Sequence, residues 1–255
     1  MKVSSIVIII FLLFADLSYA NQQNLRTSYY RQNVAPQLFF DESGQPTSGI
    51  LFDITHAIAT QLSVKLEFLP IPRKRITQSL VKNIIDMHCV ANPKWYKLET
   101  LRWSHVLYKN PDILINRKGI TSIAELSNYN NLEIGTTLGY IYPELVSHIE
   151  NKNIIQISSL SPDKSFEKYR KNRVEGFISA SVEASYFTRE IEDSVIVLND
   201  NNIHCAFSPS MKKDTIKRIN NVIDMMKASG EIEKILEKYK HIPEITSGYG
   251  EIIAD

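Results

Sequence analysis

No charge of either sign dominates this chain: 29 Lys and Arg stand against 28 Asp and Glu, a net +1 over 255 residues. That balance supplies no long-range field for nucleic acid or anionic lipid, so neither is expected as a partner. Bilayer-spanning apolar runs are lacking too. The one continuous run, 6–14, is about half the ~20 residues a crossing helix needs, and Asp16 interrupts its far end. The chain has no convincing internal repeat and no low-complexity tract. It also lacks a Gly-x-Ser-x-Gly nucleophile turn and a glycine-rich phosphate loop, two common signs of hydrolase and nucleotide chemistry. Cysteine is confined to Cys89 and Cys205, each following a histidine, His88 and His204. Neighbouring strand residues point to opposite faces, so these four side chains do not converge and no metal or other cofactor is expected.

What is present begins with an address. Lys2, the apolar run and the small residues Ser18 and Ala20 make residues 1–20 a secretory signal peptide, cut after Ala20. No cysteine stands at the cut, so lipid attachment is not expected. About 235 residues remain, enough for one large domain or two small ones. They are expected to be soluble, monomeric and exported into a periplasm.

Along that remainder, short strand and helix patterns alternate. Strands are predicted at 25–30, 64–69, 85–90, 113–116, 132–135, 154–157, 176–179, 195–198 and 204–208, with 39–44 a loop. Apolar residues at Ile54, Ile58 and Leu62 give 50–62 a helical spacing. Further helices are predicted at 75–83, 143–150, 163–171, 183–189, 214–227 and 232–239, with Ser122 capping a helical turn at 122–126. Such alternation predicts an α/β fold with mostly parallel sheets flanked by helices. Residues 92–118 read as an extended connector, polar through Trp103-Ser104 and apolar again at Ile113-Leu114-Ile115, that leaves one lobe for another. A cleft between two lobes is a default place for a small molecule.

The order of segments resembles the family 3 bacterial extracellular solute-binding proteins. Phe40-Asp41-Glu42-Ser43-Gly44 and Gly49-Ile50-Leu51-Phe52-Asp53 look like that family's opening loop and first helix. Trp103-Ser104 with Leu107-Tyr108 resembles its first crossing, and Gly139-Tyr140-Ile141-Tyr142 its lobe-two ligand loop. Arg173-Val174-Glu175-Gly176 and Ser229-Gly230-Glu231-Ile232 are similar to its later turn and C-terminal helices. The resemblance implies a two-lobed type II periplasmic binding fold joined by two crossing strands. Lobe one would be 21–109 plus 203–255, and lobe two 110–202. It also implies capture of a small-molecule ligand for an ABC-type membrane permease. The alternatives are a module signalling to a membrane sensor and a periplasmic enzyme. His56, His105 and His148 read as helix or surface residues and give the enzyme no acid–base pair. Family topology makes the strands of Cys89 and Cys205 neighbours in lobe one, which implies a disulfide.

The site implied by the resemblance departs from the family pattern at both poles. Lys97 falls where the family's carboxylate-binding arginine stands, so a bidentate fork becomes a point charge. Ser179-Ala180-Ser181 falls where the family's ammonium-binding acid stands, with Glu183 close by. The expected solute is therefore small, polar or anionic, and amino-acid-like. Arg75, in the Pro72-Arg73-Lys74-Arg75 segment at a helix start, is expected to receive its anionic end. Aromatic residues on the same segments, Tyr30, Trp95, Tyr140 and Tyr142 above all, are expected to line the cleft with Ser179 and Ser181.

Overall fold

A computed structural model describes residues 24–30, 35–96, 99–188 and 193–240. The predicted signal peptide and Lys97 lie outside these residues. Among them, no helix is long and apolar enough to cross a membrane.

The chain opens with β1 (Asn24–Tyr29), a short hairpin of β2 (Phe39–Phe40) and β3 (Pro46–Ser48), α1 (Ile50–Gln61) and β4 (Lys65–Pro70). A 3₁₀ turn, Arg73–Arg75, leads into α2 (Ile76–Val81) and then β5 (Met87–Ala91). The first crossing carries a second 3₁₀ turn, Pro93–Trp95, and the short strands β6 (Arg102–Trp103) and β7 (Tyr108–Lys109). There follow β8 (Asp112–Asn116), β9 (Leu132–Thr137), α3 (Val146–Glu150), β10 (Ile154–Ser159), α4 (Pro162–Arg170), β11 (Gly176–Ala180), α5 (Ser181–Phe187) and β12 (Ser194–Val197). The chain returns through β13 (Asn202–Phe207) and ends in α6 (Lys213–Ala228) and α7 (Glu231–Lys238).

Two large sheets result, and each is built on three parallel strands. The first runs β4-β1-β5-β13-β6, with β7 beside β13; β4, β1 and β5 are parallel, whereas β13 enters antiparallel. The second runs β10-β9-β11-β8-β12, with β10, β9 and β11 parallel and β8, the strand that enters from the first half, antiparallel to both its neighbours β11 and β12. Strands arriving from the other half of the molecule have no crossover helix to turn them round, so they pair antiparallel. Each sheet has an apolar layer on both faces. In the first, Leu25, Tyr29, Met87, Phe207 and the helices α1, α6 and α7 form one layer, while Ile76, Leu80, Ile85 and Ala206 form the other. In the second, Leu114, Ile134, Ile178 and Leu145 lie on one side and Ile115, Phe177, Tyr169 and Val174 on the other. Tyr186 of α5 packs in the core of the first sheet, so this helix belongs to both halves.

Three local expectations are corrected. The stretch 39–44 is a hairpin strand and its turn, closed by Asp41, whose carboxylate accepts from Ser43 Oγ and Gln45 N. Strands of two and three residues carry too little alternation to be seen in sequence. The Ser122 hydroxyl does not cap a helix; it donates to Glu125 Oε1 at 2.8 Å. The helix predicted over 75–83 divides into the 3₁₀ turn at Arg73–Arg75 and α2.

Cys89 and Cys205 form a disulfide between β5 and β13. Both strands run directly into a connector between the halves, so the bond fastens the two connectors where they leave the first sheet. Gly49 shapes the opening loop. Its φ of +120° precedes α1, and a Cβ there would meet Gln37 O at 2.5 Å. Without that Cβ, the loop closes over the helix, and Pro36 O and Gln37 O accept from the N–H groups of Ile50 and Leu51.

Candidate functional site

The carboxyl ends of parallel strands are where an open α/β sheet presents a ligand, and here those ends from both halves meet. On the first sheet, Tyr30 follows β1 and His88 stands on β5, with their rings 6.2 Å apart. His88 is buried and its Nδ1 lies 2.9 Å from Ser28 Oγ. Burial, opposed by a bond to the Ser28 backbone, pulls the imidazole down to about 4, so it is neutral near pH 7. Tyr96 packs at 5.4 Å on Trp103 in the first crossing, and burial raises its phenol to about 12.

Arg73, at the start of the 3₁₀ turn, reaches across to the other half. Its guanidinium lies over the Tyr140 ring, 5.1 Å from the centroid. Its positive charge is felt at Tyr30, His88, Tyr96 and Tyr140. Tyr30 is shifted upward, by burial first and by Tyr140 second. A cation over the Tyr140 ring, with Tyr30, Tyr96 and a neutral histidine within reach of its charge, suits an anion that also presents an apolar or planar surface.

Tyr140 is held by a tight turn. Its N–H donates to Thr137 O at 3.1 Å, and Gly139 takes φ +79°, a conformation that favours glycine. Tyr142 turns inward instead: it is buried, and its hydroxyl accepts from Thr137 N at 3.3 Å. Tyr142 thus braces the loop that displays Tyr140.

Behind these residues lies a buried polar network at the connectors. Glu183 of α5 accepts from Gln37 Nε2 at 2.9 Å and from Asn110 Nδ2 at 3.2 Å. Gln37 Oε1 accepts from the Tyr108 hydroxyl, while Asn110 Oδ1 accepts from Ser181 Oγ and Val182 N at the start of α5. Burial pushes Glu183 up, and the two amides pull the other way. On the second connector, Asp112 Oδ2 accepts from Asn199 and Asn201, and Asn201 Oδ1 accepts from Asn92. Burial, and after it Glu144 nearby, raise Asp112 against the pull of its amide donors. Amides alone satisfy these carboxylates, which leaves the connectors joined by hydrogen bonds that need no cation.

The residues predicted for the site divide accordingly. Tyr30 and Tyr140 come together around Arg73. Arg75 is exposed on the same turn, as Arg73 is; what separates them is that Arg73 lies over Tyr140, while the backbone N–H of Arg75 closes the turn to Pro72 O. Trp95 is 51% exposed on the first connector. Ser179 is buried at the carboxyl end of β11 with a hydroxyl that has no partner among the described residues, and Ser181 is engaged by Asn110. Sequence reasoning passed over Gln37, Asn110 and His88 as site residues. It named Arg75 for the anion and quoted Arg73 only as part of the same segment. Among the described residues no group of three or more His, Cys, Asp or Glu is placed to hold a metal ion.

The profile of the bacterial extracellular solute-binding proteins, family 3, matches residues 27–242. No curated protein matches the sequence. Solved structures show the fold. An ancestral cationic amino acid solute binding protein superposes with a TM-score of 0.71 at 19% identity, over 86% of this chain and 96% of its own. The second substrate binding domain of Lactococcus lactis GlnP, in an open conformation, gives 0.65 at 17% identity, over 85% and 95%. The substrate binding protein of an amino acid ABC transporter gives 0.62 at 20% identity, over 85% and 99%. The fold is thus the two-lobed type II periplasmic binding fold.

Proposed function

Since the chain belongs to the bacterial extracellular solute-binding proteins of family 3, we propose that it captures a small polar or anionic organic solute between its two lobes for an ABC-type importer. Residues 1–20 direct it to the periplasm, and lobes comprising 21–109 plus 203–255 and 110–202 close by a hinge at the connectors. The protein acts as a monomeric carrier that leaves its solute chemically unchanged.

The observation that carries this reading is Arg73 of one half lying over Tyr140 of the other. A solute whose anionic group meets Arg73 while its body lies against Tyr30 and Tyr140 contacts both lobes, so binding favours closure. The lack of an acid in Ser179-Ala180-Ser181 and the amide-satisfied Glu183 argue against the family's usual grip on an α-ammonium group. A buried ammonium without a counter-charge is costly.

A thermal-shift screen of amino acids, polyamines and organic acids tests this, because a ligand of the folded state raises Tm. The best hit should lose its shift in Arg73→Ala and keep it in Arg75→Ala. An unchanged shift in Arg73→Ala would take Arg73 out of the site.

A further inference from the structure

We propose that the solute is amphipathic, with an apolar tail that lies in a recess at the lip of the second lobe. This rests on the reading of the cleft given above and adds a second compartment to it. The recess has a volume of about 350 Å³ and is lined by Leu138, Ser158, Ser159, Leu160, Lys164 and Lys168. That is at the low end of the roughly 300–1,000 Å³ of small-molecule pockets.

Its position follows from one turn. The bond from Tyr140 N to Thr137 O closes the turn that carries both Leu138 and Tyr140, and Leu138 N donates to Ser159 O at 2.8 Å. The recess therefore begins two residues from the ring that faces Arg73. Both walls stand at carboxyl ends of the parallel strands β9 and β10, the side of the sheet that presents a ligand.

The chemistry of the lining selects the tail. Leu138 and Leu160, both in the lining, are 63% and 83% exposed, which leaves apolar surface open there. The lysine ammonium groups of the lining already have partners. Lys164 is paired with Glu167 at 2.8 Å, and Lys168 Nζ donates to Ser158 O at 2.9 Å. With their charges engaged, they offer the recess their methylene stems. Among the described residues the Ser159 hydroxyl has no partner, but it is sealed beneath the surface and offers the recess no polar atom. A chain of carbons fits these walls, whereas a compact zwitterion leaves them wet.

The test is calorimetric titration of the mature protein with acetate, butyrate, hexanoate and octanoate, repeated on Leu160→Asn and Arg73→Ala. The expected result is an affinity that rises by up to roughly fourfold per buried methylene, with the gradient flattened in Leu160→Asn. Binding at every length should fall in Arg73→Ala. A flat series in the wild type, with loss in Arg73→Ala, would overturn the tail and leave the cleft reading standing. A gradient that survives in Leu160→Asn would also overturn it, since the tail would then lie elsewhere. Binding untouched by Arg73→Ala, or none at any length, would overturn both.

Discussion

Removing the disulfide should cost this protein a large share of its stability. The Cys89–Cys205 bond closes a loop of 116 residues. In the chain-entropy account, a loop of that size restricts the denatured ensemble by about 16 cal/mol/K, or about 4–5 kcal/mol at 25 °C. Whole domains are stable by only about 5–15 kcal/mol. The test is equilibrium unfolding in urea of the oxidised protein, the protein under reductant, and a Cys89→Ala/Cys205→Ala variant. Both treatments should lower the midpoint, and the fitted free energy should fall by about 4 kcal/mol. The slope with denaturant should rise, because an unlinked denatured chain exposes more surface. That second signature matters: lost packing around two buried sulfurs would lower stability without steepening the slope. A loss under about 1 kcal/mol in both preparations would refute the loop-closure argument.

Two other outcomes follow from the buried groups. His88 titrates at about 4 when folded and at 6.5 in the reference state, so the denatured chain takes up its proton first as pH falls. Its contribution should be complete above about pH 6.5 and lost progressively down to about pH 4, by about 3 kcal/mol. The difference between wild type and His88→Asn in urea unfolding from pH 7 to pH 4 isolates that slope; parallel curves would contradict it. At Glu183, replacement by Ala strands the Gln37 and Asn110 donors and should destabilise by about 2–5 kcal/mol. Glu183→Gln should lose much less, because an amide can meet Gln37 once that side chain is reversed. Equal losses in the two variants would show that the hydrogen bonds are not what matters there.

Much of the fold was legible because periodicity survives without context. The 50–62 spacing of Ile54, Ile58 and Leu62 became α1, and the alternating strands appear within a few residues of their expected bounds. The disulfide was legible only through family topology, since nothing local to Cys89 or Cys205 names the other. The site was harder. Arg73, Lys74 and Arg75 are three consecutive cations in one 3₁₀ turn, and which of them reaches Tyr140 depends on how the second half is placed. Gln37 and Glu183 are 146 residues apart, and their bond leaves no pattern in either neighbourhood. Ser179 and Ser181 illustrate the same limit. They are two residues apart on one segment, yet one hydroxyl has no partner among the described residues while the other is engaged by Asn110.

The reach of Arg73 to Tyr140 has a consequence for how tightly any guest can be held. A solute that claims both residues competes with an attraction the protein makes to itself, so its measured grip is net of that rivalry. Altering the ring alone would relieve that rivalry and at the same stroke remove a surface the guest lies against, so the two effects oppose each other.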